Sequence, residues 1–213
     1  MQRAQRAKVV LTRLAQKYPQ PSSALQWQSP WELLVATILS AQCTDQRVNS
    51  VTPAFFQRWP DPKSLAQAEL ETIENTIRST GFFHNKAKNL LATAHRIVKE
   101  HEGQVPSSMS ELVALPGVAR KTANIVLANA FGVNEGIAVD THVKRLAHRL
   151  GLTDAKDPNH IEQDLIPLFP QSQWGRLNHY FVLFGREICK ARSPHCPQCP
   201  LSDICPRYGL PEL

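Results

Sequence analysis

The chain has 213 residues, enough for one large domain or two small ones. Its 42% hydrophobic and 20% charged content excludes a disordered or low-complexity polypeptide, and its longest apolar run, residues 33–41, is too short to cross a membrane. A formal charge of +6 favours a polyanionic partner, because bound Lys and Arg release counterions from phosphate; charge alone leaves a mildly basic protein without such a partner equally open.

From the N-terminus, Arg3, Arg6 and Lys8 precede no apolar run of the secretion-signal type, so a cytoplasmic protein is expected. Ala7, Val10, Leu11 and Leu14 predict a first helix, broken by Pro19 and Pro21. Ser29-Pro30-Trp31-Glu32 reads as a capping box with proline at the first helical position, and Trp31, Leu34, Val35, Ile38 and Leu39 continue as a helix. Leu70, Ile73 and Ile77 form a stripe closed by Gly81, and Ala87, Leu90, Leu91, Ala94 and Val98 form one closed by Gly103. Met109, Leu112 and Val113 line one side of a short helix, and Ile125, Val126 and Ala130 belong to the helix after it. Residues 132–139 have no period and mark the best boundary. Val143, Leu146, Ala147 and Leu150 repeat the helical pattern before Gly151, as do Leu177, Phe181, Phe184 and Ile188. Strand-type alternation is almost absent, so the expected fold class is all-α.

Three motifs carry chemistry. In the first, Leu115-Pro116-Gly117-Val118-Ala119-Arg120-Lys121-Thr122-Ala123, proline and glycine stop one helix and a second begins. Its first backbone N–H groups have no partners within the helix and sit at the positive dipole end, a seat for phosphate. Lys121 follows Arg120 in that first turn, where neighbouring positive charge disfavours the ammonium and favours a nucleophilic amine; a simple phosphate contact is the alternative. In the second, Val139-Asp140-Thr141-His142-Val143-Lys144-Arg145-Leu146, Asp140 reads first as a helix N-cap, which would leave its carboxylate ionised and rigidly aimed. Lys144, Arg145, His148 and Arg149 add basic groups suited to phosphate contact, with a simple solvated face as the alternative. In the third, Cys189-x6-Cys196-x2-Cys199-x5-Cys205, four cysteines crowd together in a chain expected to be cytoplasmic, which points to metal rather than disulfides. Spacing leaves zinc and an iron–sulfur cluster both open. Cys43, outside the group, reads as a small buried apolar residue.

Together these motifs, in this order, resemble the endonuclease III family of helix-hairpin-helix DNA glycosylases. The resemblance runs from the segment near Trp31 to Cys205. It implies two helical domains with a central cleft: a six-helix domain over residues 21–132 containing the hairpin, and a cluster domain made of residues 1–20 with 133–213. It implies a four-iron, four-sulfur (4Fe–4S) cluster on Cys189, Cys196, Cys199 and Cys205. It makes Lys121 the nucleophile and Asp140 the catalytic carboxylate of a DNA glycosylase and abasic-site lyase acting on oxidised pyrimidines in duplex DNA, as a monomer. By the same resemblance DNA is contacted by Leu115, Gly117, Val118 and Ala119 of the hairpin and by Lys190 and Arg192 of the cysteine loop, with His195 beside them. Gln42 and Phe82 are the residues expected to fill the gap left by an everted base. Ala119 stands where the family commonly has a second glycine; it adds only a methyl and keeps its N–H. A related adenine-mismatch glycosylase usually lacks the hairpin lysine and carries a long C-terminal domain, whereas here only a short segment follows Cys205. A non-catalytic DNA-binding or electron-transfer module leaves Lys121 and Asp140 without a joint role.

Overall fold

A computed structural model describes residues 1–210, and every regular element among them is helical. None of these helices is long and apolar enough to cross a membrane. The chain divides into two compact units, residues 23–133 and residues 1–22 with 134–210 of the second segment.

The unit of residues 23–133 is built around α2 (Pro30–Leu39). Ser29 accepts a hydrogen bond from the Glu32 backbone N–H at 3.2 Å, while Glu32 accepts from Gln28 N–H at 2.7 Å, so the carboxylate reaches one residue further back than a reciprocal capping box requires. Trp31 and every residue from Leu33 to Leu39 are buried, with only Glu32 of the first turn half-buried, which marks α2 as a central helix covered on nearly all sides. Around it stand α3 (Asp45–Arg58), α4 (Pro62–Ala66), α5 (Leu70–Ile77), α6 (Phe83–Glu100), α7 (Met109–Ala114) and α8 (Arg120–Val126). A turn of 3₁₀ helix, Arg78–Thr80, links α5 toward α6, and a π-helical turn, Leu127–Phe131, extends α8. In α6 the buried stripe is Ala87, Leu90, Ala94 and Ile97; Val98, expected in that stripe, is only half-buried. Val113, expected beside Leu112 in the core, is exposed, because α7 makes under two turns and presents a single residue, Leu112, inward.

In the second unit, α1 (Arg3–Lys17) buries Ala7, Val10 and Leu14, and packs on α11 (Trp174–Glu187), whose Leu177, Phe181 and Phe184 are fully covered. Two further helices, α9 (Thr141–Arg149) and α10 (Pro158–Leu165), begin with aspartate caps, Asp140 and Asp157. The Arg6 guanidinium donates to the carbonyls of Gly151 (3.1 Å) and Ile204 (3.2 Å), tying the first helix to the C-terminal loop. Exposed pairs such as Lys17–Glu187 at 2.8 Å add little, since water screens them. The larger contribution is the apolar cover over α11.

Candidate functional site

The turn between α7 and α8 is held from behind by α6. Thr93 Oγ1 donates to the Pro116 carbonyl at 2.7 Å, and Arg96 Nη1 donates to the Ala114 carbonyl at 2.5 Å. Gly117 has φ +76°, and a Cβ there would lie 2.9 Å from Asn89 Cβ, so both conformation and space demand glycine. Gly117→Ala is expected to destabilise this unit by about 1–3 kcal/mol, read as a lowered midpoint in chemical denaturation. Ala119 is extended (φ −87°, ψ 166°), where alanine is unstrained, and as N-cap it offers no side-chain hydrogen bond to the first turn of α8.

Gly117, Ala119 and Lys121 are exposed. Leu115 and Val118, expected at the DNA surface, are 2% and 6% exposed and sit in the core, with the Val118 N–H bonded to the Leu115 carbonyl. Their part is to seat the turn, because an apolar side chain in so short a loop gains more by burial than by facing water. Gln42 and Phe82 occupy exposed positions with left-handed backbone, φ 52° and 48° respectively, and Phe82 is 64% exposed, so its ring is not part of the core. Cys43 is half-buried rather than buried, its thiol donating to the Thr44 carbonyl at 3.7 Å, because the chain turns outward at the end of α2.

In the other unit, Asp140 Oδ1 accepts from the backbone N–H groups of His142 and Val143, both at 2.8 Å. The cap aims the carboxylate along the N-terminus of α9. Burial pushes the His179 imidazole below its ordinary pKa, opposed by the negative charge of neighbouring Asp140. The sequence reading did not single out His179; it lies on the long α11 stripe, where no local motif marks it. An open cavity of about 510 Å³ beside Asp140's helix is lined by Thr141, Lys144, Arg145, His148, Ala155 and Lys156, a largely cationic wall.

The basic face of α9 is only partly solvated. Lys144 and His148 are exposed, but Arg149 is 7% exposed and Arg145 half-buried. Arg149 Nη1 donates to the Lys190 carbonyl at 2.7 Å and Nη2 to the Ala191 carbonyl at 3.0 Å, while Arg145 donates to the carbonyls of Gly185 (3.0 Å) and Cys189 (3.2 Å). These two guanidinium groups hold the start of the cysteine loop. Lys190, Arg192 and His195 stay exposed on it.

No disulfide joins the four cysteines of this loop. Burial, together with the charge of its cysteine neighbours Cys189, Cys205 and Cys196 and against the Leu201 N–H, pushes the Cys199 thiol up to about 11, so the four sulfurs share one neighbourhood. Such a set can ionise together only if positive charge is placed among them. Arg149 Nη1 lies 3.4 Å from Cys189 Sγ, and the Leu201 N–H donates to Cys199 Sγ at 3.4 Å, the N–H to sulfur contacts an iron–sulfur centre uses. Among the described residues no three His, Cys, Asp or Glu side chains stand at single-ion spacing. The donor set fits four-thiolate cluster ligation.

Arg149→Met is expected to lose the loop carbonyl bonds, costing about 2–4 kcal/mol and lowering the retained iron per chain, measured by melting and iron quantitation.

A family model described as HhH-GPD superfamily base excision DNA repair protein matches residues 35–171, and one described as iron-sulfur binding domain of endonuclease III matches residues 189–205. The second match decides between zinc and iron–sulfur. The chain is 55% identical over 202 residues to the endonuclease III of Synechocystis sp., covering 95% of this chain and 92% of that one. It is 38% identical over 205 residues to that of Escherichia coli K12, covering 96% of each. The solved structure of a non-covalent endonuclease III–DNA complex matches with a TM-score of 0.92 at 40% identity, covering 97% of both chains. A thermostable thymine-DNA glycosylase, at 22% identity and a TM-score of 0.87, shares the fold. On its hairpin, its cysteine loop and these likenesses, the chain belongs to the endonuclease III family of HhH-GPD base excision DNA repair proteins.

Proposed function

We propose that this protein is a bifunctional DNA N-glycosylase and abasic-site lyase that removes oxidised pyrimidines from duplex DNA, acting as a monomer in the cytoplasm. The observation that carries the reading is the exposed amine of Lys121, one residue into α8 behind a turn that α6 holds in place. The likeness to a trapped endonuclease III–DNA covalent intermediate, at 40% identity, supports it, since a covalent protein–DNA bond requires a nucleophile on the protein.

In this reading residues 23–133 form the helix-hairpin-helix domain and the remaining residues the cluster domain. The target base leaves the stack, and Gln42 and Phe82 fill the gap. Breaking the N-glycosidic bond builds positive charge at C1′ of the sugar, which the capped Asp140 carboxylate stabilises. The neutral Lys121 amine adds at C1′, the base departs with the bond's electron pair, and Asp140 helps take the amine proton. The sugar's C1′–O4′ bond then opens, O4′ taking a proton as the C1′–N double bond forms, and the resulting iminium acidifies the C2′ hydrogen. Its loss drives β-elimination, which breaks the C3′–O bond and releases the 3′ phosphate. Water then frees the lysine.

Gly117 and Ala119 offer backbone to a phosphate, and Lys190, Arg192 and the cationic wall at Lys144 and Lys156 neutralise others. When bound by Cys189, Cys196, Cys199 and Cys205, a 4Fe–4S cluster supplies a four-point cross-link whose iron offsets the thiolate charge. The chain's own Arg145 and Arg149 keep the loop carrying Lys190 in place.

Borohydride trapping on a duplex containing thymine glycol tests the reading: one covalent adduct per chain, together with release of the damaged base, is expected. An adenine-mismatch glycosylase or a non-catalytic module gives no adduct with this substrate, and that result overturns the reading.

A further inference from the structure

Lys86, in the first turns of α6, is only 5% exposed. Its Nζ donates to the Leu39 carbonyl at 2.8 Å and to the Thr80 carbonyl at 2.9 Å. Leu39 is the last residue of α2 and Thr80 the last of the 3₁₀ turn Arg78–Thr80. Both carbonyls therefore stand at helix C-termini, where partial negative charge gathers and acceptors lack intrahelical partners. The ammonium is thus compensated by two helix ends, and burial lowers its pKa, opposed by nearby Cys43.

The two chain segments joined at this ammonium are the ones that lead to Gln42 and Phe82. Gln42 lies three residues past Leu39 and Phe82 two past Thr80, each exposed and each left-handed. A left-handed conformation in a non-glycine residue persists only where its surroundings determine it. An apolar residue at position 86 would leave both buried carbonyls without a donor, and a shorter polar one could not reach both.

We propose that Lys86 is a positioning residue that fixes the spacing between Gln42 and Phe82, so that the two tips enter a DNA stack as one rigid unit. The proposal rests on the reading of those tips as the gap-filling pair. Filling the space of one everted base demands placement to within about an ångström, the scale on which misplacement costs as much as 100-fold in rate.

The experiment compares single-turnover excision of thymine glycol from duplex with β-elimination at an abasic site in a single-stranded oligonucleotide, which has no stack to fill. Lys86→Gln removes the charge and shortens the reach, and Lys86→Arg keeps the charge but moves the carbonyls apart with a larger head. Both variants are expected to slow duplex excision about 10- to 100-fold, with the single-strand reaction within about three-fold of wild type. In a Gln42→Ala/Phe82→Ala background, Lys86→Gln should add no further loss. Equal losses on both substrates, an undiminished duplex rate, or full additivity in that background each overturn the proposal. If Lys86→Gln does not fold, Lys86→Arg decides by the same comparison. Should Gln42→Ala and Phe82→Ala slow duplex excision while the Lys86 variants do not, only the tether fails. Should the tip variants themselves leave duplex excision unchanged, the gap-filling reading falls, and the tether with it.

Discussion

Lys121→Gln is expected to abolish borohydride trapping and to lower strand cleavage at an abasic site by about 10³-fold or more, with duplex affinity changed only several-fold. Removing the amine removes the attacking electron pair, and glutamine's amide nitrogen, delocalised into its carbonyl, cannot replace it. The side chain is exposed, so the change should leave stability within about 0.5 kcal/mol. Loss of activity with an unchanged melting temperature therefore reports chemistry. Trapping that survives would place the nucleophile elsewhere, and Lys121 would revert to a phosphate contact.

Asp140→Asn is expected to reduce base excision about 10²- to 10³-fold while barely altering the fold. Asparagine caps helices about as well as aspartate, so the two bonds to His142 and Val143 should persist. What disappears is the negative charge, worth about 0.3–1 kcal/mol to the helix dipole and far more to an oxocarbenium-like sugar. Asp140→Ala is the control, losing the cap as well and costing about 0.5–2 kcal/mol in thermal unfolding. The pair separates two roles of one carboxylate: if Asp140→Asn excises at the wild-type rate, Asp140 is a cap alone.

Helix positions were legible where periodicity and end signals coincide. Trp31, Leu34, Val35, Ile38 and Leu39, Ile73 with Ile77, and Leu177 with Phe181 and Phe184 are buried as their spacing requires. Ser29 and Asp140 cap the helices they precede. The Pro-Gly stop, the lysine after it and the cysteine spacing are also local, because turn chemistry and metal ligation are written in adjacent residues.

What the linear chain determined by itself, then, is its all-α character, its helix ends and the residue types available for amine and cluster chemistry. Only the tertiary structure decided where polar heads go. Arg149 reads as part of a basic face with Lys144 and His148, yet its guanidinium ends in a carbonyl cage formed by residues 190 and 191. Lys86 carries no signal within its own helix, since its partners Leu39 and Thr80 come from other elements. Leu115 and Val118 turn inward because α6 holds the hairpin from behind. The physical reason is common to all of them: helical period and caps act over a few residues, whereas the destination of a long side chain depends on which distant carbonyl or apolar surface packing brings within its reach.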